Sequence, residues 1–488
     1  MMNRIAYHLV LLLTILAMAG TVAASDPVRL PDLGGTSTRV LPAEQERTFA
    51  RDFRRYLRAN NMLIEDPMVL DYIEDMGFRL VAESSRRDGE FHFFVIREPS
   101  LNAFASLAGV IGIHAGLILA AREESEVAGV VAHEIAHITQ DHIARGVENQ
   151  RQTSIPAMLA TLGLALAAGA AGAGGEASQA ILMSGMGLAQ QFQINHTRQA
   201  EAEADRIAVP LMARAGYDPM GMVTFFEQLS VRGRAMGDGP PEYLRTHPLT
   251  VNRIAEARNR ADRVQVRNQR DDDRFAFVQA RLRVLISSFP DQTVEFFRIR
   301  LENAEDAAPH LRYGLALSLI KARRLDAAAG HIEQLRADHP DRQLFKLLEA
   351  DLLLARGAQS EAIERLETLY HRFPGNRLIT TQLAETLMHE RSPERSERAA
   401  TLLRQHLRSH PDDLQMTQLY ARAADAAGDS VRAAEAQADS YYMRGGIDQA
   451  IEQLEAVIER DDLNYYQRAR ISARLAELRG ERIRLGRS

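Results

Sequence analysis

Two histidines and a glutamate in the stretch AHEIAH have the spacing that metal chemistry requires: His133, Glu134 and His137. Residues four apart lie on one face of a helix, so both imidazoles can reach a single metal ion. Glu134 would project beside them, where a carboxylate can take a proton from an attacking water. The alternative is that the two histidines only share the face of an amphipathic helix. A third ligand elsewhere in the chain would distinguish a metal site from a simple shared helix face.

A second motif, EAEAD, supplies a candidate for that ligand. Glu201 and Asp205 are again four residues apart. Glu201 would be the third zinc ligand, and Asp205 would accept a hydrogen bond from the other ring nitrogen of a ligand histidine. With Glu203 between them, the same pattern also fits a solvated acidic face of a helix. Its place after HEIAH favours the metal site, in which three protein ligands leave one position for water.

One further histidine, His247 in the stretch RTHPL, lies in a predicted loop over 234–250. Held there by Pro248, its imidazole could fill the open zinc position and displace the water. The alternative role is contact with the substrate or with a helix N-terminus. Arg198 and Arg253 are candidates to stabilise an oxyanion or to hold these loops.

The remaining histidines near the motifs give weaker signals. His142 follows the HEIAH motif by five residues and is predicted to lie on the surface. His114 belongs to an apolar stretch and is predicted to be a packed histidine rather than a ligand. His196 directly precedes the second motif, and its role is ambiguous.

Helical periodicity and short apolar runs predict the elements that position these residues. HEIAH lies on a long helix opened by Glu123, and the acidic motif lies on a helix from about 186 to 214. The stretch FHFFVI, residues 91–96, and two apolar runs within 101–119 predict three short strands. Helices over 43–84 precede them. The predicted fold class is therefore mainly α with a small β-sheet.

The C-terminal part of the chain repeats. Pro340 and Pro374 are 34 residues apart, and each follows an alanine, Ala328 or Ala362, by twelve residues. This period with small residues at fixed positions is typical of tetratricopeptide repeats and distinguishes them from a generic array of Ala/Leu-rich helices. The prediction is an α-solenoid with one concave surface. Further members of the pattern are Ala316, Ala350, Ala384, Ala399, Pro411, Ala421, Ala433, Ala438, Gly445 and Ala450.

The N-terminus has the form of a secretory signal peptide: a positive Arg4, a short apolar core and a cleavage site after Ala24. A retained membrane anchor is the alternative. A cysteine-free exported chain indicates the bacterial periplasm, and a net charge of −6 gives no basic field for nucleic acid. The predicted organisation is a signal peptide (1–24), an arm (25–42), a zinc metallopeptidase domain (43–270), linker helices (271–307) and a tetratricopeptide-repeat domain (308–480).

The stretch 155–175, IPAMLATLGLALAAGAAGAGG, permits two interpretations. Its length and lack of charge are those of a membrane span. Its alanines and glycines give a weak transfer energy and a weak helix. We expect a mobile or loosely packed helical loop beside the active site, with the membrane-spanning segment as the alternative.

HEIAH, the later EAEAD and the upstream stretch NAFASLAGVIGIHAGLI together resemble the zinc metallopeptidase family of the heat-shock protease HtpX and the CAAX prenyl endopeptidases. A signal peptide and a tetratricopeptide tail are similar to those of its periplasmic branch. The resemblance implies one Zn²⁺ per subunit, with Glu134 as the catalytic base and Asp205 as a second functional carboxylate. It also implies a regulatory histidine in the loop of His247. The implied zinc ligands are His133, His137 and Glu201, and the implied substrate-binding strand is Asn102, Ala103 and Phe104.

The resemblance further implies a biological role. It is that of a periplasmic zinc endopeptidase, with chaperone-like activity, in the assembly and quality control of outer-membrane β-barrel proteins. Misfolded or stalled barrel proteins would be the clients, and the barrel-assembly machinery would bind the repeats. No nucleic acid is expected, and the apolar character of residues 155–175 permits a peripheral membrane contact. The alternatives are a chaperone or assembly scaffold whose proteolytic activity is blocked, and a membrane-associated protease.

Overall fold

A computed structural model describes the protein over residues 43–87, 90–143, 198–235, 241–266, 272–304, 308–390 and 392–484. The chain divides into two units, 1–40 and 41–488, and every described residue belongs to the second. The predictions for the signal peptide, the arm, residues 155–175 and His196 lie outside the described residues. In the described part, no helix has both the length and the apolar character that a membrane crossing needs.

Two helices and a three-stranded sheet open the metallopeptidase part. The Asp66 side chain accepts hydrogen bonds from the backbone N–H groups of Met68 and Val69, and Pro67 occupies the first turn, so both residues favour a helix start here. The strands predicted within 91–119 are confirmed. The elements are α1 (Ala43–Ala59), α2 (Pro67–Ala82), β1 (His92–Ile96), β2 (Ala103–Ala105) and β3 (Val110–His114).

The sheet has the order β1-β3-β2, with β3 parallel to β1 and antiparallel to β2. Strand β2 therefore lies at an edge. Phe104 of β2 is the register partner of Gly112 in β3, and a Cβ at residue 112 would lie 2.5 Å from the Phe104 ring. Any side chain at 112 would push Phe104 away, so this glycine fixes how the edge strand packs.

Six helices complete the metallopeptidase part. The helix with the HEIAH motif is buried almost all round, and Gly129 lets it approach Met222 closely, since a Cβ at 129 would lie 2.9 Å from the Met222 Cα. The loop predicted over 234–250 is wrong in part, because it contains a short helix. The elements are α3 (Ala115–Ala120), α4 (Glu124–Thr139), α5 (Arg198–Arg214), α6 (Met220–Ala235), α7 (Glu242–Thr246) and α8 (Val251–Ala261).

Twelve described helices follow, and successive helices pack on one another. The alanines Ala328, Ala362 and Ala399, at the repeating position, are each 0% exposed. The predicted mainly α fold, with a metallopeptidase domain followed by a tetratricopeptide solenoid, is confirmed. The helices are α9 (Arg274–Ile286), α10 (Pro290–Glu302), α11 (Pro309–Lys321), α12 (Leu325–Asp338), α13 (Gln343–Ala355), α14 (Gln359–Arg372), α15 (Arg377–Leu387), α16 (Pro393–Ser409), α17 (Leu414–Ala426), α18 (Ser430–Met443), α19 (Ile447–Ile458) and α20 (Tyr465–Arg484).

Ion pairs join the repeats to the first two helices. Arg55 in α1 donates to Glu481 in α20 at 2.7 Å, and both side chains are buried. Arg281 in α9 donates to both carboxylate oxygens of Asp66 at the start of α2, from Nε to Oδ1 at 2.9 Å and from Nη2 to Oδ2 at 2.8 Å. Arg377 of α15 lies 3.4 Å from Asp71 of α2. The repeats are thus fixed to the helices that pack on the sheet.

The buried alanines make a stability prediction. Ala328→Phe should lower the free energy of unfolding by about 1–3 kcal/mol, because a ring cannot fit between closely packed helices. Ala327→Phe is the matched control: its position is exposed on the same helix, and the change should stay within about 0.5 kcal/mol. Urea unfolding followed by circular dichroism measures both. Equal effects of the two substitutions would contradict the close packing at Ala328.

Candidate metal centre

Three buried side chains from two packed helices converge between α4 and α5. His133 and His137 project from one face of α4, and Glu201 projects from the first turn of α5; each is 0% exposed. The two Nε2 atoms are 3.0 Å apart. The Glu201 carboxylate lies 3.3 Å from His137 Nε2 and 3.5 Å from His133 Nε2. The helical spacings therefore bring together the residues that the sequence analysis selected.

His247, which follows α7, adds a fourth donor. Its Nδ1 lies 3.1 Å from a Glu201 oxygen and 3.4 Å from His133 Nε2, and its side chain is buried. The other ring nitrogen, Nε2, lies 3.5 Å from Glu134 Oε1. The ring stacks on Tyr243 with centroids 4.6 Å apart. His247 therefore lies between the other donors and Glu134.

The donor set fits a tetrahedral metal ion. Bonds of about 2.0–2.1 Å to a tetrahedral centre place neighbouring donors roughly 3.3–3.4 Å apart. The contacts described above are 3.0–3.5 Å long, and all four donors lie within 4.8 Å of one another. His133 Nδ1 faces Asp205 at 3.0 Å, so the ring proton belongs on Nδ1 and the Nε2 lone pair points inward. Lone pairs and a carboxylate that converge in this way repel one another unless a cation lies between them.

The charges around the donors favour a cation. Burial lowers the pKa of His133, but hydrogen bonds with Asp205 and Glu201 outweigh it and raise that pKa to about 10. Burial raises the pKa of Glu201, but the charge of His247 and the histidine hydrogen bonds hold it well below its ordinary value. The same negative field that attracts a proton would attract a metal ion.

Arg253 holds the acidic side chains in place. Its Nε and Nη2 donate to the two oxygens of Asp205 at 2.7 and 2.8 Å. Its Nη1 lies 2.8 Å from Glu201 Oε2 and donates to the backbone oxygen of Pro248 at 2.8 Å. These hydrogen bonds offset the burial of Asp205 and keep its pKa below the ordinary value. Of the two functions expected for Arg253, the contacts favour loop support.

Glu134 lies between the donors and the edge strand. Its side chain is fully buried, and burial raises its pKa, while His247 and His133 act in the opposite direction. The backbone of Ala105 in β2 is close enough to act on the same pKa and also lowers it. The carboxylate is thus next to both the metal donors and strand β2.

The expected substrate strand is at the same place. Asn102 and Ala103 are fully buried and Phe104 nearly so. The Asn102 backbone oxygen accepts a hydrogen bond from His114 at 3.0 Å, but neither polar atom of its side chain has a partner among the described residues. The backbone N–H of Tyr243 donates to Leu101 at 3.1 Å, which fixes α7 at the start of β2.

The expectation for one neighbouring residue, His142, is wrong. His142 is not on the surface: it is 6% exposed, and its Nδ1 lies 2.8 Å from His137 Nδ1. Helix α4 ends at Thr139, and Asp141 has φ 52°, so the chain reverses and helical spacing no longer says where His142 points. Arg198, at the first residue of α5, is exposed, and its role in oxyanion stabilisation or loop support stays a prediction.

His114 and Tyr243 complete the surroundings. His114 is a packed histidine, as predicted, with Nδ1 2.7 Å from the Ser100 hydroxyl. Tyr243 was not predicted, because a single tyrosine in a polar stretch carries no signal. Burial raises its pKa well above the ordinary value, and Glu134 adds to the effect.

The model of peptidase family M48 matches residues 69–261, and that of the tetratricopeptide repeat matches residues 313–377. The chain is 32% identical to the β-barrel assembly-enhancing protease of Escherichia coli K12, over 92% of this chain and 91% of the relative. The chain belongs to peptidase family M48. This M48 peptidase is therefore a metalloendopeptidase that uses a metal ion.

Two other relatives of this M48 peptidase differ in how much of the chain they match. The putative β-barrel assembly-enhancing protease of Vibrio cholerae is 32% identical over 95% of each chain. The mitochondrial metalloendopeptidase OMA1 of Schizosaccharomyces pombe is 29% identical over 41% of this chain and 56% of its own. The bacterial relatives thus cover both the M48 domain and the repeats.

The convergence of donors predicts the effect of removing Glu201. Glu201→Gln should weaken zinc binding by about tenfold or more, since a direct ligand should matter at least as much as an outer partner. Competition with a chromophoric chelator measures this. Glu126→Gln is the matched control, because Glu126 is buried in α4 but bonds to Arg122 and Thr224. If both variants bind zinc as the parent does, Glu201 is not a ligand of this M48 peptidase.

Proposed function

We propose that this chain is a zinc-dependent endopeptidase of the bacterial periplasm that acts in the assembly and quality control of outer-membrane β-barrel proteins. The observation that carries the proposal is the convergence of His133, His137 and Glu201 beside Glu134 and the edge strand. The names of the bacterial relatives support the β-barrel role. The signal-peptide form of residues 1–24 supports export.

The chemistry of the donors supports zinc. Two imidazole nitrogens and a carboxylate, in a chain without cysteine, are a common ligand set of catalytic zinc. A zinc ion held by these groups would polarise a peptide carbonyl and lower the pKa of a bound water. Asp205 would keep the ring of His133 oriented, and Arg253 would keep Asp205 in place.

Glu134 is proposed as the general base. It would accept a proton from the attacking water and then return it to the leaving amine. Burial raises the pKa of Glu134, and a base is most effective when its pKa approaches the working pH. Its position beside Ala105 would place it over a peptide bond aligned with β2.

Strand β2 is proposed to bind the substrate as an added strand. Because β2 is at the edge of the sheet, an extended peptide could pair with its backbone, with little dependence on sequence. The unpartnered amide of Asn102 would offer a further donor and acceptor. Unassembled barrel strands are extended and varied in sequence, which suits this mode of binding.

The repeats are proposed to hold the client or the barrel-assembly machinery. Helices α9, α11 and α13 line an open cavity of about 610 Å³, whose walls are apolar side chains together with Arg281, Lys321 and Asp351. Such a mixed cavity suits a protein segment better than a small apolar ligand. A chaperone or scaffold role alongside proteolysis would use the same surface.

His247 is proposed to block the resting enzyme. Its Nδ1 faces the donors in the position that water would need, and its Nε2 faces the base Glu134. Its backbone N–H donates to Tyr243 at 2.8 Å, and Arg253 binds the next residue, Pro248. Peptide hydrolysis would therefore require this loop to move.

The first test separates the protease from the scaffold. Glu134→Gln should retain zinc and client binding but lower the rate of peptide hydrolysis by at least about 100-fold, since it removes the base. Hydrolysis of an unfolded barrel protein and recovery of barrel assembly in cells measure the two activities. Cleavage at the parental rate would exclude Glu134 as the base. Full recovery of assembly without cleavage would favour the scaffold.

The second test concerns His247. His247→Ala should open the fourth position and raise basal hydrolysis of an unfolded protein, with zinc still bound by the other three residues. Rates are compared with the parent at equal zinc content. Val251→Ala changes an exposed residue four positions after His247 and should leave the rate unchanged. A slower His247→Ala enzyme would replace the blocking role with a role in binding the substrate or transition state.

A further inference from the structure

Among the described residues, the ring nitrogen of His137 that points away from the donors, Nδ1, contacts a second histidine rather than a carboxylate. Its Nδ1 lies 2.8 Å from Nδ1 of His142, and His142 Nε2 lies 3.1 Å from Glu203 Oε2. His142 is buried, and the Glu203 side chain is about one-quarter exposed. A ligand histidine, a second histidine and a carboxylate thus form a line that leads away from the donor cluster.

The placement of protons along this line follows from hydrogen-bond chemistry. Two nitrogens 2.8 Å apart need one donor and one acceptor. If His137 Nε2 is to offer a lone pair to a metal, Nδ1 must carry the proton and His142 Nδ1 must accept it. The proton of His142 is then on Nε2, where it is donated to the Glu203 carboxylate. The ionised carboxylate fixes both tautomers.

We propose that His142 is a positioning residue for the metal centre, with Glu203 as the carboxylate that orients it. This inference rests on the zinc site proposed above. Helix α5 then supplies an orienting carboxylate for each ligand histidine. Asp205 serves His133 directly, at 3.0 Å, and Glu203 serves His137 through the His142 ring.

The helix geometry explains why a second histidine is needed. Glu201 and Asp205 share the face of α5 that meets α4, whereas Glu203, two residues along, is rotated by about 200°. Its carboxylate faces away from His137 and needs a bridge. The reversal at Asp141, with φ 52°, returns His142 to this gap. Outer hydrogen bonds of this kind orient a ligand ring and raise its basicity, and their loss typically costs about 10–100-fold in metal affinity.

The test measures zinc affinity of the full-length protein by chelator competition. His142→Ala should bind zinc about 10–100-fold more weakly than the parent. His142→Asn should stay within about threefold, because the Asn Oδ1 occupies the place of the histidine Nδ1 and still accepts from His137. Glu203→Gln should have a smaller effect than His142→Ala, since its amide oxygen can still accept. Parental affinity in His142→Ala, or equal losses in the alanine and asparagine variants, would overturn the positioning role.

Two variants control for packing and for ion pairs. His406→Ala removes a buried histidine that is paired with Asp413 at 3.0 Å in the repeats. Arg206→Ala removes an exposed partner of Glu203. Both should bind zinc as the parent does. Unfolding midpoints with and without zinc are measured as well. If His142 positions His137, His142→Ala should mainly reduce the increase in the unfolding midpoint that zinc causes. An equal fall in both midpoints, with a full zinc-induced rise, would mean a structural role only.

His137→Ala distinguishes failure of this inference from failure of the zinc site. If His137→Ala retains parental zinc affinity, the proposed metal centre is wrong and the positioning role is overturned with it. If His137→Ala loses zinc while His142→Ala does not, the metal centre stands and only the role of His142 is overturned. Loss of affinity in both variants, with recovery in His142→Asn, supports the inference.

Discussion

The burial of three carboxylates beside one guanidinium determines how this structure is organised. Glu134, Glu201 and Asp205 are all within 1% of complete burial, and Arg253 supplies a single positive charge among them. Removing charges from water costs several kcal/mol each unless partners compensate. With neutral histidines, the three carboxylates and Arg253 leave a charge of minus two. A divalent cation held by the donors would balance that charge, so the ion that the proposed function requires would also stabilise the packing of α4 against α5.

The loop with His247 depends on those charges. Arg253 ties Asp205 and Glu201 to the backbone of Pro248, so the arginine that compensates the buried carboxylates also holds the loop over them. His247 can leave its position if the loop alone changes. The helices with the other three donors are fixed by a large apolar core. Under the proposed blocking role, activation would therefore require only a local rearrangement of this loop.

Periodic features were predictable from the sequence, and features that depend on chain reversal were not. Helical spacing predicted that His133 and His137 would share a face, and the order of the two motifs predicted that Glu201 would join them. Small-residue spacing predicted the buried alanines such as Ala328. His142 was misplaced because Asp141 turns the chain after α4. The contact of Arg55 with Glu481 joins residues 426 positions apart. Because the chain has many charged residues, its sequence does not indicate which distant pair will meet.

A continuous packed route links the last helix to the proposed substrate strand. Glu481 of α20 is bound to Arg55 of α1, and Phe53 on the same helix packs edge-to-face on Phe104 of β2, with ring centroids 6.3 Å apart. Phe104 in turn lies over Gly112, where there is no side chain to separate them. Close-packed side chains transmit small displacements rather than absorb them. The contacts of Glu481 with Arg55 and of Phe53 with Phe104 thus connect α20 to β2 through α1, and the loop that holds His247 is not part of this connection.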